Sequence, residues 1–138
     1  MNEGENILSA IFLTLLFIMG CSETKTTDPD EVYEYWSGSA TQTDLQLSRG
    51  EYWQSAHWTK EYIVFLKLKP TEKWWTEFVG QNQLQIDNGD RAKPNNTPSW
   101  FNPTDKSIMY SRIDDSDQGS RYFRDTLTEV VYIYEIQL

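Results

Sequence analysis

The sequence predicts an α+β fold: a small single domain in which a mostly antiparallel β-sheet packs against one short helix, about residues 72–79. Three features carry that expectation. Tyr62, Val64, Leu66 and Leu68 alternate with Ile63 and Phe65, the period-two pattern of a strand covered on both faces. Trp74, Trp75, Phe78 and Val79 follow at the i, i+1, i+4, i+5 spacing of an apolar helix stripe. Beyond residue 106, segments rich in strand formers alternate with turn-forming clusters, as in a meander.

Taken in order, Ser22 to Asp30 holds no apolar residue and one proline, which predicts a disordered tether over 21–30 ahead of a globular domain over 31–138. Val32-Tyr33-Glu34-Tyr35-Trp36 reads as a first strand, broken by Ser37-Gly38-Ser39. A short alternating piece at 44–47 ends at Arg49-Gly50, and Tyr52-Trp53 starts another. The strong strand covers 61–69; after Pro70, Thr71 caps the helix and Gly80 ends it. Leu84 and Ile86 precede a tight turn, Asp87-Asn88-Gly89-Asp90, and 91–96 reads as loop. Pro98 and Pro103 bracket Trp100-Phe101 in a rigid irregular segment. Three strands follow at 107–113, 121–125 and 129–138, with Val130, Tyr132, Tyr134, Ile136 and Leu138 sharing one face of the last.

Ile7 to Met19 is a run of thirteen uncharged, mostly apolar residues, followed by Gly20-Cys21 and a polar stretch. As a helix it would reach about 20 Å, short of the roughly 30 Å hydrocarbon core of a bilayer, which fits an export signal better than a span. Ile18-Met19-Gly20-Cys21 resembles the lipobox that ends the signal peptide of bacterial lipoproteins. Met19 is bulkier than the residue usual there, and the leading residues carry Glu3 and Glu5 but no Lys or Arg. The resemblance implies cleavage after Gly20, removal of the signal peptide 1–20, lipidation of Cys21, and residence at the bacterial cell envelope. Ser22 in place of Asp then implies the outer membrane in a host that has two. The residues alone also allow a buried core helix with Cys21 as a small hydrophobe, or an uncleaved anchor.

The chain carries 21 acidic against 12 basic residues, a formal charge of −9, and no two Lys or Arg are adjacent. Such a surface repels phosphate backbones, so nucleic acid is a poor candidate partner. One cysteine forms no disulfide within the chain, and six Trp, eight Tyr and six Phe supply apolar area for a core without one.

Few constellations point to catalysis. His57 is the single histidine, which excludes zinc sites of several His or Cys and any Cys-His dyad within the mature chain. It reads as a loop histidine packed on an aromatic, with a general base as the alternative. Asp114-Asp115-Ser116-Asp117-Gln118-Gly119 imitates the start of a calcium loop, but counting from Asp115 the positions needing Gly and Glu hold Ser120 and Thr126. A solvated turn is the favoured reading, and no metal or cofactor is expected. Glu34, Glu51, Asp105 and Asp125 adjoin aromatic segments without a spacing that fixes a catalytic pair. The aromatics of irregular segments, Trp53, Trp58, Trp100 and Phe101, are the candidate ligand-binding residues, since Trp and Tyr stack on sugar rings and dominate protein hot spots. The competing reading has them roof the sheet. The expected function is non-catalytic binding at the envelope, with two alternatives: an inhibitor or immunity-type protein against an envelope hydrolase or toxin, and a glycan-acting enzyme using a carboxylate pair.

Overall fold

The computed structural model describes residues 22–59 and 61–138. The strands are β1 (Thr24–Thr26), β2 (Leu45–Gln54), β3 (Tyr62–Pro70), β4 (Leu84–Ile86), β5 (Ile108–Arg112), β6 (Arg121–Arg124) and β7 (Val131–Gln137), and the helices are α1 (Pro29–Ser37) and α2 (Glu72–Gln81). The strands form one antiparallel sheet in the order β1-β2-β3-β7-β6-β5-β4, so the fold is α+β and mostly β, as the alternating patterns predict.

β3 and β7 lie at the centre, where Val64 faces Glu135, Leu66 faces Ile133 and Leu68 faces Val131. Both helices cover that face, and Val64, Leu66, Leu68, Val131 and Ile133 are fully buried beneath them with Tyr122. The alternate residues Ile63, Phe65, Tyr132, Tyr134 and Ile136 point to the other face, where Phe101, Met109 and Phe123 complete a smaller core. The face assignments in β3 and β7 therefore hold.

Three local readings are corrected. Residues 32–36 are helical because Asp28 Oδ1 accepts hydrogen bonds from the Asp30 and Glu31 N–H groups at 2.9 and 3.2 Å. Pro29 supplies a helical φ at the first position, and Asp30 and Glu31 meet the positive helix end. Gly38, at φ 73, ends the helix by donating its N–H to the Glu34 carbonyl at 2.9 Å. These caps, with Val32, Tyr33 and Trp36 packed on the sheet, outweigh the strand preference of the side chains.

The expected tether is also structured from Thr24 on. Thr24, Lys25 and Thr26 pair with Gln54, Trp53 and Tyr52, and Glu23 accepts a hydrogen bond from the Trp53 indole. Polar residues suit an edge strand, so their polarity does not mean disorder. Third, 44–47 and 52–53 belong to one strand, β2, with a register shift between Leu47 and Arg49. Gly50 does not stop it. A Cβ there would lie 2.9 Å from Val32 Cβ, so glycine is what lets α1 settle on the strand.

Thr71 caps α2 as expected, accepting from the Trp74 N–H at 3.2 Å. The helix runs past Gly80 to Gln81 with Asn82 as its cap, and it buries Trp75 and Phe78, leaving Trp74 half-buried against Phe78. Among the described residues no helix is long and apolar enough to cross a membrane.

Candidate functional site

The most polar buried feature is Glu135, on the helix side of β7 and 5% exposed. Strand alternation puts it in the row of Val131 and Ile133, so its side chain enters the main core. A buried carboxylate is costly unless it is paired and hydrogen-bonded, and here four groups meet it. Trp36 Nε1 donates to Oε2 at 3.0 Å, the Tyr122 hydroxyl donates to Oε2 at 3.0 Å, and the Tyr62 hydroxyl donates to Oε1. Arg112 brings NH2 within 3.6 Å of Oε2 while donating to Asn82 Oδ1 at 3.1 Å. Burial, then the hydrogen bond to Glu135, pushes the Tyr62 phenol well above its ordinary value; burial and the nearby Glu135 charge do the same to Tyr122. Both tyrosines are therefore hydrogen-bond donors throughout the physiological range.

Glu135 and Arg112 line a cleft of about 400 Å³ between α1 and α2. Its surface is mostly polar; of the aromatics that border it, Tyr33 and Phe78 are buried, and Trp36 of α1 and Trp74 of α2 are half-buried. Trp36 lies 5.7 Å from Phe78, and Trp74 stacks on Phe78 at 4.9 Å with the planes 10° apart. Ser37, Ser39, Gln42, Glu77, Gln81 and Asn82 supply a polar rim. Arg112 Nε is buried without a hydrogen-bond partner among the described residues. The combination suits a ligand with one apolar face and several hydroxyl or amide groups.

The residues singled out from sequence do not meet in one surface. Phe101 is 1% exposed and stands edge-on to Phe65 at 5.2 Å and Tyr132 at 5.4 Å, so its assignment to a ligand surface is corrected: it roofs the second core. Trp100 is half-buried against the same cluster. The segment between the prolines turns inward because its two aromatics bury apolar area against the far side of β3 and β7. Trp53 is partly buried and lines a second, mostly apolar groove of about 740 Å³ with Lys25, Ile63, Phe65 and Leu138. Trp58 is 98% exposed in the β2–β3 hairpin loop. His57 beside it is exposed, which corrects its reading as packed on an aromatic. Cys21 lies outside the described residues.

In the acidic turn, Asp114 Oδ1 accepts the Ser116 N–H at 2.9 Å and Asp117 Oδ1 accepts the Gly119 and Ser120 N–H groups at 3.2 and 2.9 Å. Asp117 Oδ2 pairs with Arg121 at 3.2 Å, so these oxygens shape the hairpin. Among the described residues no group of three or more His, Cys, Asp or Glu stands in position to hold a metal ion.

Sequence reasoning passed over Glu135, Trp36 and Arg112. The available signal was a charged residue in the second alternating set of a strand, Val131-Ile133-Glu135, whose other members are apolar. No known protein family, curated protein or solved structure matches the chain.

Proposed function

We propose that this chain is a lipid-anchored protein of the bacterial cell envelope whose folded domain binds a glycan without catalysis, using the polar cleft above Glu135, which Trp36 and Trp74 border. One observation carries the binding part: the polar groups of Gln42, Glu77, Gln81, Asn82 and Arg112 line one cleft beside the half-buried rings of Trp36 and Trp74, a set that offers hydrogen bonds to sugar hydroxyls next to an apolar edge. Glu135 accepts three hydrogen bonds and an ion pair, which favours a fixed acceptor over a mobile general base. The anchor rests on Ile18-Met19-Gly20-Cys21.

The test is a titration of residues 22–138 with neutral wall oligosaccharides, following indole fluorescence. Binding that weakens at least tenfold in Gln42→Ala/Gln81→Ala, with little dependence on salt, is expected. Acidity favours a second reading, an inhibitor that meets a basic enzyme cleft, whose association would instead slow sharply as salt rises. Because Glu77 and Glu135 line one cleft, hydrolysis is the third outcome; oligosaccharide turnover abolished by Glu77→Gln in a folded protein would replace binding with catalysis. For the anchor, fatty-acid label is expected on the wild type and not on Cys21→Ala. Equal labelling would remove it.

A further inference from the structure

The sheet has one end at which the anchoring segment and a bare indole come together. β1 pairs with Thr24 opposite Gln54, so the chain preceding Thr24 enters the sheet beside the hairpin loop that joins β2 to β3. Gln137 pairs with Tyr62, which brings Leu138 to the same end. Trp58 in that loop is 98% exposed and Leu138 is 58% exposed. An indole can bury roughly 150–250 Å², and at this exposure the fold covers almost none of it. Cys21 stands three residues before Thr24, a span of at most about 10 Å. Any lipid on Cys21 therefore holds this end, and not the opposite one, against the bilayer.

Charge at this end permits contact with a neutral interface. Lys25 and Glu23 pair at 3.2 Å, and Glu61 directly precedes β3. Asp114, Asp115 and Asp117 occupy the β5–β6 hairpin at the same end, separated from the Trp58 loop by β7 in the strand order. They oppose an anionic surface on that side and leave the β2–β3 loop as the part able to approach lipid.

We propose that the β2–β3 loop is a second membrane contact, with Trp58 seated in the headgroup region of the bilayer that holds Cys21. This inference rests on the lipid anchor proposed above. Tryptophan suits the site because its apolar ring and polar N–H match a layer that is apolar on one side and wet on the other. The two contacts together fix the tilt of the domain, which attachment through Cys21 alone leaves free. The Glu135 row lies two residues from the Tyr62–Gln137 pair, about 7 Å along the strands, so the cleft is held close to the membrane surface.

The experiment uses the mature chain from Cys21, coupled through this sole cysteine to a maleimide lipid in phosphatidylcholine vesicles. Some of the vesicle lipid carries bromine high on its acyl chains, where it quenches an indole at the interface. A quenched component of the emission is expected in the wild type and its loss is expected in Trp58→Phe, with the two proteins melting alike because the residue is exposed. Equal quenching of both proteins, or of neither, overturns the proposal and leaves Trp58 open to a protein partner instead. The coupling supplies the tether chemically, so this result stands or falls apart from fatty-acid labelling of Cys21 in cells.

Discussion

Glu135 joins parts of the chain far apart in sequence: its hydrogen bonds reach Trp36, 99 residues away, and Tyr62, 73 residues away. Glu135→Ala would leave the buried Tyr122 hydroxyl and the partly buried Trp36 and Tyr62 donors without their acceptor, and Arg112 with Asn82 alone. A loss of about 1–3 kcal/mol in chemical denaturation is expected, the cost of leaving the buried Tyr122 hydroxyl unsatisfied. The same cluster contributes to the loss of stability in alkali. Tyr62 and Tyr122 titrate well above the ordinary 10.0 when folded, so the folded state holds protons that the unfolded chain releases first. Their contribution is complete below about pH 10 and declines as pH rises beyond it. Tyr62→Phe is expected to flatten the fall in melting temperature between neutral and strongly alkaline buffer. None of this was legible one residue at a time, because partners this far apart become neighbours only through the strand order.

At the level of elements, legibility followed the strength of the local pattern. β3 and α2 stood out because their periodicities are sustained over nine and ten residues and agree with their flanking Pro70 and Thr71 signals. Phe78 touches Trp36, Trp74, Trp75 and Tyr122, and Phe78→Ala is expected to lose about 3–5 kcal/mol by thermal or urea denaturation. The first helix was misread because aromatic and β-branched side chains carried more weight than Asp28-Pro29 and Gly38, whose capping is a backbone signal. Asp28→Ala should lower stability by about 1 kcal/mol with little change in the sheet, measured by denaturation and circular dichroism. A mutant as stable as the wild type would show that tertiary packing alone holds the helix.

For the whole molecule, the buried core begins at Val32, yet the ordered sheet begins at Thr24. A chain starting at residue 22 is expected to melt like one starting at residue 21, whereas one starting at 31 loses β1, Asp28 and Pro29 and should melt several degrees lower. The roof over the far face makes a comparable distinction between neighbours: Phe101→Ala should destabilise strongly, by about 3–5 kcal/mol, without changing affinity for any cleft ligand, while half-buried Trp100→Ala costs less. The candidate site was the least legible part. It is assembled from α1, α2, β5 and β7, and only a known topology places their residues around one cavity.

The place of β7 has a bearing on how the molecule comes into being. The strand lies at the centre of the sheet between β3 and β6, yet it is the latest of the strands to be synthesised. Until it arrives, β3 has an open edge and β4, β5 and β6 are separated from β1, β2 and β3. Closing that gap costs the entropy of a long loop before any contact rewards it, so folding should be slow and should wait for residues 131–137. Under the export proposed above, such a delay would have a use: translocation could finish before the last strand locks the two halves into one sheet.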